Sequence, residues 1–286
     1  MTMQAFNYSE SDSRYISDLL ISGVDGRYNL SIDNMLELES DLIGRFKEIL
    51  PEQKGVVVFS IGPESQYADF ARTSETLAFP GYDSAVAMEA HEDRSRFIYT
   101  VNLDEKKIAH AKRLVIAHKY SPFLVEALGT GIETIDDRLS STIGQEAGTL
   151  SQIAGQHGIK DFSKCMNVTS NITVPGMNSS IRNPYTLISY KAVFEIGNQN
   201  NITHLFAYLN QEATQSLGKL GVRFEPLAGQ EFHLPNPTKN GEYDEHYIAV
   251  CLPYDKGNTE AFTSINPEFP LRKLIANREV PIFEVD

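Results

Sequence analysis

The chain has 286 residues, 41% of them hydrophobic and 10% aromatic, a composition that excludes a disordered or fibrous polymer. Its 25 Lys and Arg are outnumbered by 38 Asp and Glu, for a formal charge of −13. Such a surface repels phosphate backbones, and the densest cationic run (Lys106, Lys107, Lys112, Arg113) follows directly on Asp104 and Glu105, so no nucleic-acid stripe forms.

No window approaches the ~18 apolar residues of a membrane span, and the opening residues MTMQAFNYSESDS carry no export core. Cys165 and Cys251 make neither a CxxC pair nor a four-ligand zinc set. The expected location is therefore the cytoplasm.

Residues 1–50 read as helical. A short amphipathic stretch spans 14–21. After Ser31, a natural N-cap, Ile32, Met35, Leu36, Ile43, Phe46 and Leu50 recur at helical spacing until Pro51. Such a segment is expected to cap a sheet. The period then changes: residues 55–61 (GVVVFSI) form a β-branched run closed by Gly62 and Pro63, the pattern of a buried strand. Residues 64–79 turn helical and stop at Pro80 and Gly81. Residues 96–103 and 107–116, joined by the charged residues 104–106, predict a β-hairpin.

Residues 121–158 look helical and polar, weakened by glycines. A strand is expected at 164–174. A helix follows at 184–197, with Asn183 as N-cap, Pro184 at the first helical position and Gly197 as its stop. Strand 204–209, helix 212–220, a return at 222–229 and strand 245–252 come next. Residues 267–286 read as a tail with one helical turn at 271–276.

Several residues in this order carry a family resemblance. Phe70, Ala71, Arg72, Glu75 and Phe79, followed by Tyr82 and Asp83, form one pattern, and Arg113 lies late in the second hairpin strand. Residues 166–175 (MNVTSNITVP) and 204–229 (HLFAYLNQEATQSLGKLGVRFEPLAG) form the other. Together they resemble the GNAT superfamily of N-acyltransferases, and within it the branch of acyl-homoserine-lactone (autoinducer) synthases and long-chain N-acyl amino acid synthases.

The resemblance implies an α/β fold, with a mixed central β-sheet flanked by helices. It implies a helical N-terminal extension (1–50), one acyltransferase domain (51–255) with a helical insertion at about 121–158, and a C-terminal tail (256–286). It also implies transfer of an acyl group from acyl-CoA or an acyl-carrier protein to the amine of a small acceptor, an amino acid or its derivative, with no covalently bound cofactor. A non-catalytic protein of the same fold that binds an acyl or acyl-carrier ligand is the alternative.

The same resemblance assigns roles to residues. A splay between strands 164–174 and 204–209 would expose main-chain groups to the pantetheine arm along Asn171, Ile172, Thr173 and Val174. The amides of Ser170 to Thr173 would stabilise the oxyanion. The superfamily's phosphate signature, Arg/Gln-x-x-Gly-x-Gly/Ala, is replaced by 177–184 (MNSSIRNP), which has no glycine. Ser179, Ser180, Arg182 and the amides opening the 184–197 helix would take over that task.

Arg72 and Arg113, with Glu75 nearby, would bind an acceptor carboxylate; ion pairing with Glu75 or Asp83 is the competing use. The candidate bases are Glu75, Asp83, Glu89, Glu92 and His110, with Asp83 and Glu92 flanking the loop that would cover the acceptor pocket. Tyr208 would protonate the leaving thiolate, with His204 behind it. No serine-hydrolase elbow, Walker loop or dinucleotide fingerprint is present. His233 and His246 with Glu231, Asp244 and Glu245 match no metal-ligand spacing, so no metal is expected.

Overall fold

A computed structural model describes residues 30–78, 89–116, 155–173, 184–210, 213–215, 217, 224–226, 233–237, 243–253 and 280–285. Helix α1 (Ile32–Ile49) begins where the sequence places it, with the Asn34 N–H donating to Ser31 Oγ at 3.2 Å. It buries Met35, Leu42, Ile43 and Phe46. Phe46 meets Phe59 and Phe283 edge-on, with centroids 5.0 and 4.6 Å away. Ile32 and Leu36, expected in the apolar stripe, lie off it and are 69% and 55% exposed. Glu39 lies on the buried side, where it accepts the Ile108 N–H at 2.6 Å and pins α1 to the sheet. Burial pushes its carboxyl up against the opposing pull of that N–H and of Lys107.

Strand β1 (Val56–Ile61) pairs antiparallel with β2 (Ser95–Asn102), and β2 with β3 (Lys107–Ile116), which is the expected hairpin. The connecting turn forms because Asn102 Oδ1 accepts the N–H groups of Asp104 (3.0 Å) and Glu105 (3.2 Å), while Lys106 takes a left-handed φ of 54°. Helix α2 (Ala68–Ala78) starts four residues later than the sequence predicts. Residues 62–67 close in successive turns instead, with Ser65 N–H donating to the Gly62 carbonyl at 3.3 Å and Ala68 N–H to that of Ser65 at 3.0 Å. The Tyr99 hydroxyl, fully buried in β2, accepts the Ala71 N–H at 2.9 Å and donates to the Tyr67 carbonyl, anchoring the start of α2.

Strand β4 (Cys165–Thr173) leads to helix α3 (Pro184–Gln199). This helix runs through Gly197 rather than stopping there; the reversal comes at Asn201, whose φ of 54° lets the Ile202 N–H reach the Gly197 carbonyl at 2.9 Å. Strands β5 (His204–Asn210), β6 (Glu225–Pro226), β7 (His233–Pro237) and β8 (Tyr243–Pro253) follow. Residues 213–215 and 217 are helical, within the helix expected at 212–220. The final strand, β9 (Ile282–Val285), is a correction: the sequence reads it as tail, but it docks parallel to β1.

Among the described residues the mixed sheet has nine strands in the order β6-β8-β5-β4-β3-β2-β1-β9, with β7 also on β8. Both faces are covered, α1 and α2 on one and α3 on the other, which is why β1 to β3 read as nearly unbroken apolar runs. The α3 face packs Val58, Ile98, Leu114, Met166 and Leu205 against Leu187, Ile188 and Val193. The opposite face packs Val57, Phe59, Phe97 and Tyr99 against α1 and α2. The helices expected at 14–21 and at 271–276, and all but the last residues of 121–158, lie outside the described residues.

Candidate functional site

Two features converge near the middle of the sheet. The first is an opening between β4 and β5. These strands run parallel and are paired from Cys165 with His204 to Val168 with Ala207. Beyond that point both continue, but each keeps only its other neighbour. Ser170 to Thr173 stay paired with Arg113 to His110 of β3, while Tyr208 to Asn210 stay paired with Ala249 to Tyr247 of β8. No strand among the described residues fills the edge of β4 beyond Val168. Each backbone N–H there that points away from β3 has no ladder partner among the described residues, a position that invites a ligand. The sequence-based splay between 164–174 and 204–209 therefore appears in the pairing itself.

The second feature is a buried ionic network on the α2 face. Arg72 and Arg113 are 1% and 0% exposed in their side chains. Arg72 pairs with Asp69, one helical turn earlier, at 2.5 Å, and donates to the Pro63 carbonyl at 2.6 Å. Arg113 pairs with Glu75 at 2.8 Å. Glu92, on the 3-10 helix Glu89–Arg94, bridges the two guanidinium groups. Its Oε1 accepts from Arg72 Nε at 2.8 Å and from Nη2, and its Oε2 accepts from Arg113 Nη1 at 3.2 Å. Both guanidinium carbons sit over the Phe97 ring, at 5.1 and 4.7 Å from its centroid. Arg72 stays charged because Glu92 and Asp69 offset the burial that would discharge it.

The two features touch through register. Arg113 is the direct cross-strand partner of Ser170, the first β3–β4 pair past the point where β5 departs. Antiparallel partners have Cα atoms roughly 4.5–5.5 Å apart, so the network and the gap are adjacent.

Among the residues singled out from sequence, Arg72, Glu75, Arg113 and Glu92 are brought together. For Arg113, the ion pairing with Glu75 that competed with acceptor binding is the arrangement observed, while Arg72 pairs with Asp69 and Glu92. The backbones of Ser170, Asn171 and Thr173 line the gap. Ile172 lines it too, but its side chain is buried in the α1/α2-side core. Tyr208 lies in β5 opposite Ala249, one residue past the last β4–β5 pair. His110 shares a strand face with Lys112, which faces α3, so it stands across the sheet from the arginines and is no base for a group bound there. His204 is tied to the His157 carbonyl at 2.9 Å. Asp83, Val174, Ser179, Ser180 and Arg182 lie outside the described residues, as does the side chain of Glu89.

No protein-family model matches the sequence, and no curated protein matches it. Solved structures are similar to it. One is BjaI, a CoA-dependent acyl-homoserine lactone synthase: TM-score 0.46 and 12% identity, over 80% of this chain and 93% of that one. Another is FeeM, an N-acyl amino acid synthase from uncultured soil microbes: TM-score 0.42 and 14% identity, over 70% and 93%. A third is mosquito arylalkylamine N-acetyltransferase like 5b: TM-score 0.44 and 11% identity, over 69% and 99%.

Sequence reasoning missed Asp69 and Phe97. The spacing of Asp69 and Arg72 was a usable signal; the stacking of two arginines on one ring was not, because Phe97 meets Arg113 through the pairing of β2 with β3 and Arg72 through the packing of α2 on the sheet. It also missed Lys112, fully buried, with its Nζ 3.4 Å from the Tyr190 ring centroid and its amine held well below the ordinary lysine range by burial. Among the described residues no helix is long and apolar enough to cross a membrane.

Proposed function

We propose that the protein is an acyltransferase that moves an acyl group from a thioester donor, acyl-CoA or an acyl-carrier protein, to the amine of a small acceptor such as an amino acid. The observation that carries this reading is the parting of β4 from β5 after Val168 and Ala207. A parallel pair that opens while both strands continue offers main-chain donors and acceptors to an extended pantetheine arm, as an added strand would.

In this reading the thioester carbonyl lies at the open edge of β4. The amine nitrogen of the acceptor attacks its carbon, and backbone N–H groups among Ser170 to Thr173 stabilise the oxygen as it gains charge. Collapse breaks the C–S bond, and the proton lost by the amine balances the one gained by the thiolate, with Tyr208 as the donor to sulfur. Both oxygens of Glu92 already accept from guanidinium groups, so the attacking amine gives its proton to Asp83 or through water. On the donor side, Asn171 to Val174 accompany the arm, and Ser179, Ser180, Arg182 and the first amides of α3 hold its phosphate. The Arg72–Arg113 pair, one strand from Ser170, orients a carboxylate-bearing acceptor.

The test is incubation of the protein with a panel of acyl-CoAs and acyl-carrier proteins plus mixed amino acids, read by mass spectrometry. An N-acyl product is expected. A folded protein that binds a donor yet forms no such product with any pair would leave only a binding role, and one that binds none would refute the reading.

A further inference from the structure

Three carboxylates face two guanidinium groups in the buried network, and they are not equivalent. Asp69 and Glu75 come from α2, Asp69 pairs with Arg72 and Glu75 with Arg113, and their side chains are 8% and 2% exposed. Glu92 comes from a separate six-residue 3-10 helix, serves both arginines and is 16% exposed, the most open of the five. Without it, each guanidinium keeps its own carboxylate, and Phe97 still supports both from below. The formal charge of the remaining four groups is zero, against −1 with Glu92 in place. What Glu92 occupies is thus a preformed seat for one carboxylate, built from the Nε and Nη2 donors of Arg72 and the Nη1 donor of Arg113.

We propose that Glu92 is the resident occupant of a carboxylate-binding seat, and that the carboxylate of the acceptor takes this seat by displacing it. The exchange breaks and forms no covalent bond and leaves the charge of the network unchanged, so it does not strand an unpaired buried charge. An amide or ester in place of the acceptor's carboxylate offers only neutral oxygens to these charged N–H donors, and the weaker hydrogen bonds make the free acid the selected form. The inference builds on the acyltransferase reading for the identity of the ligand, but the seat itself is testable without any acyl donor.

Acetate is the probe. With Glu92→Ala the seat is vacated, and acetate should bind about tenfold or more tightly than to the unmodified protein, because the internal competitor is gone. In thermal melts, acetate should raise the midpoint of Glu92→Ala above that seen with equal chloride, and should do so far less for the unmodified protein. Glycine should compete with acetate and glycinamide should not. If Glu92→Ala fails to fold, Glu92→Gln, which keeps the shape and removes the charge, should show the same tightening.

A folded variant in which acetate does no more than chloride would overturn the proposal. So would equal competition by glycine and glycinamide, or the failure of both variants to fold, which would make Glu92 a fixed structural tie. Acetate and glycine binding as described without any N-acyl product would leave the seat standing and remove the acyltransferase reading instead.

Discussion

Replacing Arg113 by Met tests how firmly the network is built into the fold. Arg113 is 0% exposed, and its principal partner, Glu75, is 2% exposed at 2.8 Å. The substitution keeps the chain's length and apolar stem but takes the guanidinium from Glu75 and Glu92 and from its place over Phe97. Breaking a buried pair by removing one partner typically costs about 3–5 kcal/mol, because the remaining charge stays in a low-dielectric site.

At roughly 2–4 °C per kcal/mol for a chain of this size, the melting temperature should fall by about 6–20 °C. The internal control is Arg45, whose pairing with Asp41 at 3.0 Å is 39% and 37% exposed; Arg45→Ala should cost far less, because water screens an exposed pair. Urea denaturation followed by circular dichroism measures both, and added salt should erode only the Arg45 contribution. Combining Arg113→Met with Glu75→Gln should recover most of the loss, because the stranded charge is then gone. The reasoning fails if Arg113→Met costs no more than Arg45→Ala, or if the added Glu75→Gln deepens the loss.

Two further outcomes are expected. In hydrogen exchange, the amides of Cys165 to Val168, which have strands on both sides, should be protected throughout. Among Ser170 to Thr173, alternate amides should exchange markedly faster; uniform protection along β4 would close the proposed cleft. Glu195, on α3 with Lys191 3.9 Å away, is pushed up to about 7 by burial against the opposing pull of that lysine. A carboxyl whose pKa is higher folded than unfolded holds its proton more tightly in the fold. Its contribution is therefore fully present below about pH 4.5 and is lost as pH rises towards 7. Glu195→Gln should flatten the stability profile between those limits, as measured by urea midpoints across the range; a profile of unchanged slope would contradict the assignment.

Much of the fold was legible in the sequence because its signals are local. The Ser31 cap, the hairpin 96–116 with its charged turn, the β-branched run of β1 and the start of α3 at Pro184 are each specified within a dozen residues, and periodicity and turn chemistry act at that range. Gly197 shows the limit of such signals: a glycine permits a helix stop without requiring one, and the left-handed turn fell at Asn201 instead. The arginines at 72 and 113 were legible as candidates, yet the sequence left two uses open for them.

The acidic balance, the α/β class, the order of β1 to β5 and the identity of the cationic candidates belong to the sequence alone. Tertiary structure decided three things. It paired β9 with β1, a four-residue strand too short to declare its face before a neighbour supplied the ladder. It parted β4 from β5 after Val168, which depends on where each strand's other neighbour, β3 or β8, holds it. And it brought Glu92 between Arg72 and Arg113, residues 20 and 21 positions away along the chain. Periodicity records which face a residue takes within its own element, whereas an ion network or a cleft is set by how elements far apart in sequence are laid side by side.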